Sequence, residues 1–556
     1  MMKKRNSIPL WIWYLFLILP FWAGGFHTYT AVMTVIIFLT ALGREYSKKG
    51  YLQIVLNQAS ILCFTVMLGF CITPLWAADR GLAVFGILRY LPVPLQALLL
   101  MQYSQKQKPD FFPVLPICGT AMTIVGCILW AVPSTRDYVV VNGRLSGFLQ
   151  YPNTFAAFLL AGIAVQWTNK NRKKLDCLVD GVLIAGILLS GSRTAVFLLI
   201  LLTLGILTPK KIRPAAMCAA AVILCGLCAV LVKREPQITI LGRDIGSFLV
   251  RILYYRDAMP VILRNPFGLG YMGYRALETT FQTSRYTVSF VHSGLLQMLL
   301  DIGWIPSFLF AGVLLKTLCS RKTPSTEKMV LLMISAHAMV DFDLQFFLFW
   351  SILLLCLDFE EGTAFHLKIS NPVKAIAAIS VLMLSAWLGL GDWCYRTGNH
   401  ETALRITPFH TDALAEQLKS AADPEEMERC ADRILELNPT YALAYSAKAN
   451  AAYARGQVLE MIQNKERAIQ LTPYTVEEYC DYIEKLYTVL ELFVQKGDTE
   501  SAAYCLKKLL SVPVMLEATA AKTDPLAYQT GNNSELILPE PYQQLITTLA
   551  NANPDY

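Results

Sequence analysis

Three stretches of the sequence hold residues whose types and spacing suit chemistry on a phosphorylated substrate. The first is Gly143-Arg144-Leu145-Ser146-Gly147-Phe148, which runs into Tyr151-Pro152-Asn153. The second is the short turn Gly191-Ser192-Arg193-Thr194. The third carries Arg251, Arg256 and Arg264, then Asn265-Pro266-Phe267-Gly268-Leu269-Gly270, and closes on His292-Ser293-Gly294-Leu295-Leu296. A guanidinium fork binds phosphate oxygens bidentately and stays charged. A histidine titrates near neutrality and can take a proton from a hydroxyl. Together they suit a step in which a phosphate-bearing group leaves while a hydroxyl attacks. Each residue also has a plainer reading. His292 could be an interfacial histidine at the mouth of a span, and Arg193 could be snorkelling at a helix end. Arg144, Arg256 and Arg264 could be solvated loop arginines, and Asn265 to Gly270 is chiefly turn chemistry.

The elements that must position these residues are membrane-spanning helices. Apolar residues make up 55% of the 556-residue chain and charged residues only 16%, too little charge to cover a soluble protein of this length. Long apolar runs fill residues 8–391, whereas 392–556 read as soluble sequence. A helix needs about 20 apolar residues to cross the hydrocarbon core. That rule predicts spans at 8–24, 27–43, 52–75, 81–102, 111–132, 154–168, 175–191, 194–208, 215–232, 292–318, 328–341, 343–358 and 374–391. The fold class is therefore all-α: a polytopic membrane domain over 1–391 with about thirteen spans, then a soluble helical domain over 392–556. The pair of segments around Asp341 can also be read as one broken or re-entrant helix.

Charge fixes the expected orientation. Arg44/Lys48/Lys49, Lys106/Lys108, Lys170/Arg172/Lys173/Lys174, Lys210/Lys211/Arg213 and Arg321/Lys322/Lys328 occupy alternate loops, which with the N-terminus go inside. The loop 133–153, the Arg193 turn and the large loop 233–291 then go outside. An odd span count puts the C-terminal domain outside as well. The net charge of +7 is this loop pattern and not a nucleic-acid footprint. Of the fourteen cysteines, Cys63, Cys71, Cys127, Cys218, Cys225 and Cys228 lie in apolar runs, and none has metal-ligand spacing. The apolar run after Lys3-Lys4-Arg5 lacks a small-x-small cleavage site and reads as a retained first span.

The tail carries a repeat. Leu437-Asn438-Pro439 recurs as Leu471-Thr472-Pro473, with the two prolines 34 residues apart, the period of the tetratricopeptide repeat. Tyr445, Ala449, Gly456 and Ala468 fit its aromatic and small positions, where small residues let antiparallel helices approach. Degenerate fragments recur at Gly398/Ala403 and Gly497/Ala502. Such arrays commonly bind protein partners, though the fold alone names none.

Arg-x-x-Gly-Phe with a following Pro-Asn, the Ser-Arg turn, Asn-Pro-Phe-Gly-Leu-Gly and His-Ser-x-x-Leu with a later Gly are, in this order, similar to the O-antigen ligase superfamily. That superfamily includes lipopolysaccharide O-antigen ligases, Wzy-type polymerases and bacterial O-oligosaccharyltransferases, and the resemblance spans roughly residues 30–360. It implies a metal-independent inverting glycosyltransferase in the cytoplasmic membrane, without cofactor. A glycan on polyprenyl pyrophosphate would be the donor, and a lipid, a protein or a polymer the acceptor. It implies His292 and Arg193 as catalytic, with Arg144, Arg256 and Arg264 holding pyrophosphate or glycan. Ser293 stands where many relatives have Asn, and Asp301 where many have Glu. His337 and Asp341, one helical turn apart, are candidates for a supporting role or for a purely structural pair. The loop carboxylates Glu235, Asp244, Asp257 and Glu278 are far apart and form no Asp-x-Asp metal pair. Ligase and polymerase both remain open, as do a non-catalytic scaffold and a transporter; charges gathered at the outer face count against the last.

Overall fold

The computed structural model describes residues 8–104, 107, 111–207, 246–529 and 536–553. The expected span 215–232 and the first part of the large loop, 233–245, lie outside the described residues. Among those described, the chain is helical apart from two small antiparallel ribbons. Among the described residues, three helices are each long and apolar enough to cross a membrane: Gln58–Leu75, Arg80–Leu100 and Asn371–Arg396. Shorter apolar helices, Leu10–Phe21, Val114–Trp130, Arg193–Gly205, Trp304–Cys319 and Phe347–Cys356, pack beside them.

Several expected spans differ in detail, each for a local reason. The start of the expected span 52–75 is a strand, Leu52–Leu56, paired with Thr363–Leu367. The helix begins only at Gln58, where the Asn57 side chain accepts from the Ser60 amide and caps it. The expected span 292–318 is two helices, Gly294–Ile302 and Trp304–Cys319, broken at Gly303. Around Asp341 the broken-helix reading holds: Ser325–Ala338 and Phe347–Cys356 flank an irregular stretch. Helix–helix contacts with backbone polar groups satisfied are what a bilayer demands, so irregular backbone there must be enclosed by protein.

The break at Gly303 explains the Asn265–Gly270 motif. Leu269 donates to the Leu300 carbonyl at 2.6 Å, Gly270 to Asp301 at 3.0 Å, and Trp304 to Pro266 at 2.8 Å. Gly268 and Gly303 both have φ +81°, and a Cβ on Gly303 would sit 2.3 Å from the Pro266 carbonyl oxygen. Two backbones cross here at a separation only glycine permits.

The tail is a series of helical hairpins. Ala442–Ala454 and Val458–Leu471 turn at Gly456, and Ala449 and Ala468 are fully buried where the helices meet. The 34-residue period recurs in detail: Tyr445 donates to the Pro439 carbonyl and Tyr479 to that of Pro473.

This tail packs on the large loop. Asp79, which caps the helix Arg80–Tyr90, also accepts from Thr411 Oγ1 at 2.8 Å and Asn438 Nδ2 at 3.3 Å. Burial pushes its carboxyl up to about 6, against the pull of those donors. Arg275 forks onto Asp412, and Leu526 and Ala527 join the apolar cluster of Leu253, Tyr254 and Tyr274. Tail and large loop therefore occupy one side of the membrane domain. A cysteine at Gln457 in a Cys-depleted background is expected to react with an impermeant maleimide in intact cells, or in spheroplasts where there is an outer membrane. Labelling only after lysis would reverse the orientation.

Candidate functional site

The site is organised around Asp341, buried beyond the end of the helix Ser325–Ala338. Its Oδ1 accepts from Tyr151 Oη at 3.0 Å and from the Phe342 amide at 3.0 Å. Its Oδ2 accepts from Asn153 Nδ2 at 2.8 Å and lies 3.2 Å from an Arg251 guanidinium nitrogen. The same guanidinium donates to the Val340 carbonyl. Two segments distant in sequence, around Tyr151–Asn153 and at Arg251, are thus tied to one carboxylate.

His292 stands against it, with Nδ1 3.4 Å from Asp341 Oδ1. That is ion-pair distance, but the alignment falls short of a hydrogen bond. The ring lies between Tyr254 and Phe342, with centroids at 5.8 and 5.0 Å. Its backbone has φ +54°, and its carbonyl accepts from Tyr255 Oη at 2.7 Å. A non-glycine residue in that region costs on the order of 1–3 kcal/mol and persists only where the surroundings impose it. The fixing begins one residue on each side. Val291 donates to Gln297 Oε1, Gln297 donates to Asp301, and Ser293 caps the helix Gly294–Ile302. Ser293 and Asp301, the two departures from the family pattern, therefore both serve to hold the His292 loop.

Arg144 reaches the same cluster through Asn153. It donates to Asn153 Oδ1 at 2.5 Å and to the Ser190 carbonyl at 2.6 Å. The Ser190 carbonyl precedes the left-handed Gly191, φ +60°, whose Cβ position is 3.4 Å from Arg144 Nε. The Arg193 turn is so brought beside Arg144. Behind Asp341, buried Asp343 accepts from Thr154 at 2.8 Å and meets His337 Nδ1 at 2.6 Å. His337 thus pairs with Asp343, while Asp341 faces His292.

Arg256 and Arg264 lie elsewhere on the helix Gly246–Arg264. Arg256 pairs with Asp524 of the tail at 2.8 Å, and Arg264 is exposed at the helix end. Arg251, grouped by the sequence with Arg256 and Arg264 but given no role there, sits at the hub. Its spacing held a signal, since Arg251 and Tyr255 are one helical turn apart and both meet the Asp341–His292 pair.

Residues 178–311 match the O-antigen ligase family model. The matched stretch includes Arg193, Arg251 and His292, but neither Arg144, Asn153, Asp341 nor the tail. The O-antigen ligase match supports that superfamily and a glycan ligase or polymerase type of membrane enzyme. No curated protein and no solved structure matches the chain.

The loop that carries His292 has its own titrating lock. Glu278 Oε1 accepts from the Val288 amide at 2.6 Å, and burial pushes its carboxyl up to about 8, against Val288 and Arg275. A raised carboxyl favours the folded loop fully below the ordinary value of 4.5 and loses that contribution as pH rises through 8. Amide protection in 278–291 is therefore expected to fall between pH 4.5 and 8 and to level off above it. Glu278→Gln should flatten that slope, as hydrogen exchange measured across the range would reveal; an unchanged slope would free Glu278 of this role.

Proposed function

We propose that this chain is a glycosyltransferase that moves an assembled glycan from polyprenyl pyrophosphate to an acceptor at the outer face of the membrane. The observation that carries the reading is His292, held in a left-handed backbone against buried Asp341 inside the O-antigen ligase match. The acceptor hydroxyl attacks the anomeric carbon as the bond from that carbon to the pyrophosphate oxygen breaks, with inversion. The hydroxyl proton passes to His292 Nε2, and the pyrophosphate leaves with the bonding pair. Asp341 faces Nδ1 at 3.4 Å and is the carboxylate beside the ring as the proton arrives.

Arginines replace a metal at the leaving group in this mechanism. Asp341 and Asp343 are already engaged by Arg251, Asn153, Thr154 and His337. Arg251 is committed to Asp341, and this mechanism assigns the pyrophosphate to Arg193 and Arg144, whose turns lie side by side. Transfer should persist in excess EDTA, and Arg193→Lys should be markedly impaired because lysine lacks the bidentate fork. Activity lost to chelation and restored by Mg²⁺ would sink this mechanism; full activity of Arg193→Lys would reduce Arg193 to an anchor.

A ligase is favoured over a polymerase by the tail, read here as a tetratricopeptide-type domain outside the membrane. Its packing against the His292 loop suits presentation of a protein acceptor or partner enzyme. The deciding assay offers lipid-linked glycan with and without a separate acceptor and asks which product forms.

A further inference from the structure

Beyond the Asp341 cluster, a second concavity opens between the first outer loop and the start of the tail. It has a volume of 540 Å³ and is lined by His27, Tyr29, Tyr395, Arg396, Gly398, His400 and Glu416. A further 400 Å³ adjoins it across His400 and Glu416, lined also by Arg405, Gln417 and Arg433. Two features set it apart from an ordinary surface groove.

The first is its mixture of rings and polar groups. His27 and Tyr29 stack nearly parallel, with centroids 5.5 Å apart at 9°. Tyr395 packs against His400 at 5.6 Å and His410 at 4.5 Å. Polar side chains stand among these rings: His400, Glu416, Gln417 and Arg396 line the same hollows. Imidazole can donate and accept, carboxylate and amide oxygens accept, and guanidinium donates. Aromatic faces beside such a set match a pyranose, whose axial C–H face packs on a ring while its equatorial hydroxyls both give and receive hydrogen bonds.

The second is its fixed connection to His292. The ring of His292 packs on Phe342, Phe342 on Phe290 at 5.4 Å, Phe290 on Phe26 at 6.1 Å, and Phe26 on His27 at 5.4 Å. Close-packed rings hold the two places at a set separation on one side of the protein.

We propose that this cleft is a saccharide-binding subsite that grips sugar residues away from the bond being made. The inference rests on reading the His292 site as a glycan transferase, and it adds where the rest of the glycan lies. The fused membrane and tail domains then have a shared task, since His27 and Tyr29 come from the former and His400 and Glu416 from the latter. Sugars of the donor and of the acceptor present the same chemistry to such a cleft.

The test uses the full chain in detergent and oligosaccharides of two repeat units released from the host cell's own surface polysaccharide. Calorimetric titration should detect binding by the unaltered protein and by His292→Ala alike. Tyr395→Ala should weaken it about tenfold through loss of a stacking face. Glu416→Ala, whose ion-pair partner among the described residues is the neighbouring Lys419, should weaken it as well. In a transfer assay both variants should raise KM for whichever substrate's sugars occupy the cleft, donor or acceptor, and leave kcat near its original value. No binding by the unaltered protein, or equal affinity in both folded variants, would overturn the subsite. Binding by an unaltered protein that shows no transfer from lipid-linked glycan would instead overturn the transferase reading and leave the subsite standing.

Discussion

His292→Ala is expected to lower glycan transfer by about 10²–10⁴-fold, the usual cost of removing a positioned base, while the protein stays inserted and abundant. The reasoning starts from what the ring touches. Its neighbours Tyr254 and Phe342 are apolar faces, and among the described residues Asp341 is the carboxylate it pairs with. Truncation leaves the Asp341 network of Tyr151, Asn153 and Arg251 in place, so the fold keeps its main polar tie. Alanine also inherits φ +54°, a conformation that Tyr255 and the Ser293 cap impose and not the imidazole itself. Loss of activity with little loss of abundance is therefore the signature of a chemical role. A reconstituted assay with lipid-linked glycan reads it directly. Near-normal transfer would remove His292 from the mechanism, and the proposal would lose the residue on which it chiefly stands. His337→Ala provides the contrast, because His337 is buried against Asp343 and its loss should appear mainly as instability.

What the sequence disclosed, and what it hid, follows from the range of the interactions. Apolar periodicity and 34-residue spacing are local patterns, so the helical class and the repeated hairpin at Tyr445 and Tyr479 were legible. Helix breaks were less so. Gly303 lies inside an apolar run, and only the crossing of Pro266 and Phe267 over it explains why the run cannot continue as one helix. The strand at Leu52–Leu56 was hidden for the same reason, since its partner lies at Thr363–Leu367, beyond most of the chain. Within the site, motif order drew attention to Arg144, Arg193 and His292. It did not distinguish Arg251 from Arg256, because the difference is one of direction. Five residues carry Arg256 about 140° past a full turn from Arg251, so one meets Asp341 and the other Asp524 on the tail. Asp341 itself looked like half of a pair with His337. The structure divides that pair, giving His337 to Asp343 and leaving Asp341 to meet His292.

That division makes Asp341→Asn the more damaging change to the scaffold. The asparagine fills the same volume, so packing is kept and the altered quantity is charge. Arg251 would then stand with its guanidinium against a neutral amide and the Val340 carbonyl, largely enclosed. Removing one member of a buried ion pair costs about 3–5 kcal/mol, and the partial exposure of Arg251, 18%, argues for the lower end. Thermal unfolding in detergent should show a clear drop in midpoint, and transfer should fall with it because His292 loses its orienting anion. The two effects can be separated. In Arg251→Met/Asp341→Asn the uncompensated charge is gone, so much of the stability should return. Transfer should not return, because the carboxylate facing His292 is still absent. Asp341→Asn with an unchanged midpoint would mean that Arg251 is neutralised elsewhere and that Asp341 is no hub. A double variant that recovered transfer together with stability would mean that Asp341 serves the fold alone, and the base would act without the carboxylate behind it.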